Sequence, residues 1–350
     1  MSITKVTNNV IETLDASKLT GSLPDALKSI TKNANDPAID TNPAGGLGTV
    51  WLNTTTGELF SLTDATAGAN VWTNMGEGSG DVSPISYMTA NHTNGIETTQ
   101  GDYKVVTFNT SGTFTPTIGS AGGGDFVEYL VIAGGGGGGG TYYGGGGGAG
   151  GYLTTTNFTV TSSAMTVTVG GGGQVNVNGT NSVFGSITSM GGGAGGTGEY
   201  SGLNAAANGK NGGSGGGGNA NNNTGGTGIS GQGFGGGNAS GGAGGSGGGA
   251  GAAAANNPSN NTSGIGGVGL SSDITGTTVV RGEGGTGGGY SGSANPVAGG
   301  GKGGRHPNSG GGDAIAATVN LGGGGGGAGF ITPGNGSGGS GVVIIRYKFQ

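Results

Sequence analysis

The chain has 350 residues, 98 of them glycine, and only 8% are charged, for a formal net charge of −6. So few Lys and Arg argue against a nucleic acid or an anionic membrane as partner, because both need clustered cations. The lack of cysteine excludes disulfide staples, thiolate metal sites and thiol nucleophiles.

The start, Met1-Ser2-Ile3-Thr4-Lys5, has neither the basic lead nor the apolar core of a signal peptide. The aliphatic run Val342-Val343-Ile344-Ile345 is far too short to cross a bilayer. Synthesis in the cytoplasm without membrane insertion is therefore expected. Residues 1–42 read as an extended attachment arm with one short helix, in which Pro24 suits a first turn and Leu23, Leu27 and Ile30 form one stripe. Asp36-Pro37 and Asn42-Pro43 mark a break before a small module over residues 43–80. Its strands, at 49–53, 58–62 and 71–75, alternate apolar and polar residues and place Trp51, Phe60 and Trp72 in a core. Gly76-Glu77-Gly78-Ser79-Gly80 is a linker.

A β domain is expected over residues 81–190 plus 341–350. Residues 104–108, 112–116, 125–132, 151–154 and 165–169 are rich in Val, Ile, Phe, Tyr and Thr between turn residues. Leu130-Val131-Ile132 reads as buried on both faces. The chain then closes on Val342-Val343-Ile344-Ile345-Arg346-Tyr347, a strand too apolar to stand without a sheet. The sheet holding residues 126–132 is the simplest partner, which makes residues 191–340 an insertion clamped at both ends. The fold class is mainly β, with almost no α-helix.

Two readings of that insertion compete. Abundant Gly with Ser and Asn and no Gly-X-Y repeat is the composition of disorder, and glycine loses the most backbone freedom on ordering. Against this, non-glycines recur three apart: Ala194, Thr197, Tyr200 and Leu203; Ile265 and Val268; Glu283 and Thr286; Lys302 and Arg305. Three residues per turn is the polyproline II period, and an all-glycine version leaves every N–H and C=O free to pair with neighbouring helices. The residues leave both readings open.

No catalytic constellation is present. His92 and His306 lie in polar, turn-like settings without a partner Asp or Cys, and glycine strings that match nucleotide-loop patterns mean nothing at this composition. An enzyme, a metal site and a cofactor are not expected. The remaining chemistry is recognition by the residues that interrupt the glycine runs, including Asn219 to Asn223 and Phe330-Ile331. Aromatic side chains with Asn, Ser and Gly are suited to binding loops. The candidates are Tyr142, Tyr143, Tyr200, Leu203, Asn221, Asn222, Phe234, Asn257, Tyr290, Asn295, Pro296, Arg305, His306 and Asn308.

Several stretches carry a family resemblance: Glu128-Tyr129-Leu130-Val131-Ile132-Ala133-Gly134, Gly147-Gly148-Ala149-Gly150-Gly151-Tyr152-Leu153, Val167-Thr168-Val169-Gly170, Thr318-Val319-Asn320, and Gly338-Gly339-Ser340-Gly341-Val342-Val343-Ile344-Ile345-Arg346-Tyr347. Over residues 103–348 the chain resembles the glycine-rich module of tail-fibre and other virion proteins of tailed bacteriophages. More loosely it is similar to tip adhesins of T-even-like phages, in which a polyglycine II sandwich displays receptor-binding loops. The resemblance implies an ordered polyglycine II bundle and a structural virion protein, on a tail fibre or the capsid surface. Its arm would attach to other virion proteins, its loops would bind a host surface glycan or outer-membrane protein, and fibre symmetry would make it a homotrimer. Capsid decoration with nonspecific adhesion is one alternative, and an ice-binding polyglycine II protein is another.

Overall fold

The computed structural model describes residues 30–41, 43–76, 87–119, 125–198, 208–257, 261–293, 295–296, 299–330, 334 and 336–350. The chain divides into two units, Met1–Ile85 and Ser86–Gln350. In the first, strands β1 (Thr31–Asn33), β2 (Val50–Asn53), β3 (Leu59–Asp64) and β4 (Val71–Gly76) form one sheet in that order. Trp51 lies opposite Phe60, and Leu62 opposite Trp72, so period-two alternation puts all four on one face. The two indoles meet edge-on at 5.7 Å, and Leu62 is fully buried beside the half-buried Phe60 and Trp72. The aromatic core expected from the sequence is therefore present, with Leu62 added.

Its boundary falls earlier than residue 43. β1 pairs in parallel with β2, Trp51 Nε1 donates to Asn35 O at 3.0 Å, and Asn53 Nδ2 donates to Asp36 Oδ1 at 2.7 Å. Residues 31–36 thus belong to the module. The helix expected around Pro24 lies outside the described residues.

In the second unit the strands are β5 (Thr89–Thr93), β6 (Ile96–Gln100), β7 (Tyr103–Phe108), β8 (Gly112–Thr117), β9 (Phe126–Ile132), β10 (Tyr152–Thr159), β11 (Met165–Thr168), β12 (Ser182–Phe184), β13 (Ile187–Ser189), β14 (Thr262–Ser263), β15 (Leu270–Ser272), β16 (Val279–Arg281), β17 (Gly292–Ser293) and β18 (Val342–Lys348). One five-stranded sheet runs β10-β9-β18-β7-β6 and a second runs β13-β12-β11-β8-β5. β18 sits at the centre of the first, antiparallel to β9 on one side (Val342 opposite Ile132) and to β7 on the other (Val343 opposite Phe108). The last strand does join the sheet holding residues 126–132, as its sequence requires.

Alternation along β18 explains why this sheet is buried on both faces. Val343, Ile345 and Tyr347 pack with Phe108, Tyr129 and Val131 against Phe114, Val167 and Phe184 of the second sheet. Val342 and Ile344 face the other way, with Leu130, Ile132 and Tyr152, against Ala250 and Ile274 of the glycine-rich region. His92 lies on β5, its ring edge-on to Phe108 at 6.2 Å, rather than in a turn.

The glycine-rich region is ordered, and its hydrogen bonds show how. Gly134 and Gly137 donate to Thr180 and Val177, Gly135 and Gly138 to Gly339 and Gly336, and Gly136 and Gly139 to Gly148 and Gly145, all at 2.8–3.1 Å. Their carbonyls accept from three more segments: Gly192 and Gly195, Gly173 and Asn176, Gly325 and Ala328. Each direction recurs every third residue, which is the polyglycine II turn, and one strand is bonded to six neighbours. Glycine is required by space. A Cβ on Gly135 would overlap the Gly323 carbonyl, and one on Gly138 the Gly326 carbonyl. The bundle also starts earlier than residue 191, because residues 133–151 and 170–181 supply several of its strands.

Candidate functional site

Strands of the bundle run alternately away from and toward the sandwich, so their turns collect at two ends. At the sandwich end, Tyr152 N–H donates to Gln232 O and Gly282 N–H to Leu321 O. At the far end, Tyr142 N–H donates to Phe330 O, Ala220 N–H to Tyr143 O, Asn221 N–H to Gly241 O, Tyr290 N–H to Gly242 O and His306 N–H to Gly289 O. Segments distant in sequence are thereby brought to one surface.

That surface is aromatic. Tyr142 and Tyr143 meet at 5.2 Å with their rings tilted by 49°, and each approaches Phe330, at 5.3 and 5.7 Å. His306 lies 4.4 Å from Phe330 and 4.6 Å from Tyr290. Tyr143 is 5% exposed and Tyr290 38%, so the cluster has a buried root and an open edge. Burial, helped by Tyr142 and Tyr290, pushes the Tyr143 hydroxyl up to about 12.

The cluster rests on an unusual turn. Tyr142 and Tyr143 both take left-handed backbone, with φ of 46° and 54°, a conformation that costs a non-glycine residue on the order of 1–3 kcal/mol. The side chain of Asn219 holds it, its Nδ2 donating to Tyr142 O at 2.8 Å and Tyr143 O at 3.3 Å. His306 Nδ1 accepts from Asn308 N–H at 3.0 Å, so the neutral imidazole carries its proton on Nε2. Asn308 follows Pro307 in a short 3-10 turn ending at the left-handed Gly310.

Of the sequence candidates, Tyr142, Tyr143, Tyr290, Arg305, His306 and Asn308 gather at this end, with the exposed pair Asn221 and Asn222, both at positive φ. Others do not join the cluster. Phe234, 48% exposed, lies at the sandwich end beside Gln232 and Tyr152. Asn257 commits its amide to the bundle, donating to Ala243 O and Gly244 O at 2.9 Å and accepting from Gly264 N–H at 3.0 Å. Asn295 is exposed and Pro296 half-buried, in the segment after β17. Tyr200 and Leu203 lie outside the described residues. Asn219 and Phe330, expected among the interruptions of the glycine runs but not as single candidates, join the site, and the signal for each is its place at the end of a glycine run.

A groove adjoins the cluster through the loop that carries His306. Lys302, Arg305, Asp313, Ile315 and the backbone of Gly311 and Gly312 line about 490 Å3. Its floor is an antiparallel pair, with Arg305 N–H donating to Gly312 O and Ile315 N–H to Lys302 O.

The sequence profile of the family described as a glycine-rich domain matches residues 107–348, most of the chain. The chain belongs to the glycine-rich domain family. Among curated proteins, none matches it. In this glycine-rich domain the matched span takes in the bundle and most of the sandwich. Among the described residues no helix is long and apolar enough to cross a membrane. Nor does any group of three or more His, Asp or Glu side chains come together there as a metal site.

Proposed function

We propose that the protein is a non-enzymatic virion component, a tail-fibre adhesin whose distal loops bind a receptor on the host cell surface. The observation that carries this reading is the convergence of six loop-borne side chains on one end of a hydrogen-bonded scaffold. Rings held by strained backbone, with a buried root and an exposed edge, lose little freedom on contact, which favours binding over mere coverage of a bundle end. The resemblance of residues 103–348 to phage fibre modules supplies the setting.

The test is adsorption of the labelled full-length protein to bacteria, with immunogold imaging of virions to locate it. Tyr142→Ser combined with Tyr290→Ser is expected to abolish adsorption, and Phe234→Ser to leave it intact. Equal adsorption by all three proteins would refute the distal-loop reading, and label spread over the capsid would favour a decoration protein.

A further inference from the structure

We infer that the groove between Lys302, Arg305 and Asp313 binds an acidic saccharide, one negative group on a hydroxyl-rich ring. The inference rests on the reading of the distal end as the receptor-binding surface and names the chemistry it takes. Lys302 and Arg305 stand three residues apart on one polyglycine II strand, so both side chains leave the same face. Neither has an ion-pair partner among the described residues. On a chain of net charge −6, two of the eleven Lys and Arg converge on one concavity.

The remaining lining decides what kind of anion fits. A dense polyanion, such as a nucleic acid or polyphosphate, would be repelled by Asp313 on the same rim. A sugar acid uses both signs: its acid group meets the planar fork of Arg305 or the Lys302 ammonium, and its hydroxyls donate to the Asp313 carboxylate. Ile315, 56% exposed, offers an apolar wall to a ring face. His306, buried, packs 4.6 Å from Tyr290, and the loop from it to Gly312 forms the groove wall, so an oligosaccharide seated at Arg305 continues onto the exposed edge of Tyr290. An outer-membrane protein loop would use the rings but has no need of this mixed charge pattern.

Saturation-transfer NMR on the full-length protein tests this, with trigalacturonate, its neutral methyl ester, sialyllactose, lactose and galactose 6-phosphate as probes. Acidic probes are expected to bind at least about tenfold more tightly than their neutral counterparts. That preference should vanish in Lys302→Gln combined with Arg305→Gln, with an unchanged circular-dichroism spectrum and melting curve. Binding of the uronate or sialate alone identifies a carboxylate ligand, and binding of the sugar phosphate alone a phosphorylated one; either supports the inference. Equal binding of acidic and neutral probes, or binding of none, overturns it. In that case cell adsorption that still depends on Tyr142 and Tyr290 leaves the adhesin reading standing with a protein receptor. Adsorption indifferent to those rings removes the distal-loop reading itself.

Discussion

The sandwich and the glycine bundle of the second unit solve the same problem with opposite materials. In the sandwich, cohesion comes from side chains: Phe108, Phe114, Phe184, Val131, Val343 and Ile345 are buried between two sheets, at about 25 cal/mol per Å2 of apolar surface removed from water. In the bundle the side chains are nearly absent and the backbone is the core. Each interior strand bonds to neighbours in every direction, with roughly 0.5–1.5 kcal/mol per hydrogen bond and weak Cα–H···O contacts as cohesion. The two regions therefore tolerate change differently. A sandwich position accepts another side chain of similar volume, whereas most bundle glycines leave no room even for a Cβ, and the side chains buried on the bundle strands are small ones such as Ala149, Ala194, Ser214 and Ser246.

Gly136→Ala should break the bundle most severely, since its new methyl would overlap the Gly193 carbonyl. We expect a loss of more than about 3 kcal/mol, against about 1 kcal/mol for removing a methyl from the sandwich in Ile345→Val. Thermal melts of the two variants would erase the contrast if they shifted equally. Next in size is Asn219→Ala, which strips the support from the Tyr142–Tyr143 turn and should cost about 1–3 kcal/mol. Chemical denaturation checks it, and an unchanged midpoint would mean that the turn holds itself.

A smaller effect belongs to pH. Tyr143 keeps its proton to about 12 in the fold, against an ordinary value of 10.0. Above pH 10 the unfolded chain releases that proton first, so stability is full below pH 10 and falls as the pH rises toward 12. Comparing the protein with Tyr143→Phe isolates this site from Tyr129, Tyr152 and Tyr347, whose hydroxyls burial also raises. Parallel stability curves above pH 10 would argue that the ring is solvated. The smallest change in stability is expected for Tyr142→Gly. Relief of about 1–2 kcal/mol of left-handed strain is offset by about 0.5–1 kcal/mol of added unfolded-state entropy and by lost ring contacts. A near-neutral melt with lost cell adsorption would separate the function of this turn from its stability.

The strands legible in the sequence were those with apolar alternation, such as 104–108 and 125–132. The polar edge strands β5 and β6, Thr89–Thr93 and Ile96–Gln100, were not, because their side chains are half-buried or exposed and carry no hydrophobic period. The three-residue spacing pointed to polyglycine II, but the glycine runs at 134–140 and 144–150 fell within the expected β domain. Their membership depends on hydrogen bonds to residues some 180–200 positions away, such as Gly138 to Gly336 and Gly147 to Gly325. Phe234 and Tyr142 look alike in sequence, each an aromatic residue between glycines. Which end of the bundle each occupies depends on the direction of its strand, and composition does not encode that.

By itself, the sequence determined the materials of this protein. Its alternating strands demanded a β domain, its closing Val-Val-Ile-Ile demanded a partner sheet, and its glycines allowed either disorder or a packing without side chains. The tertiary structure alone decided which interruptions meet. Tyr142, Phe330, Tyr290 and His306 come from four separate turns, and they share a surface only because strand lengths and directions in the bundle bring those turns to the same end. The physical reason is that polyglycine II bonds entirely between strands. Position within it is therefore set by partners far away in the chain, and by nothing a local stretch of sequence can show.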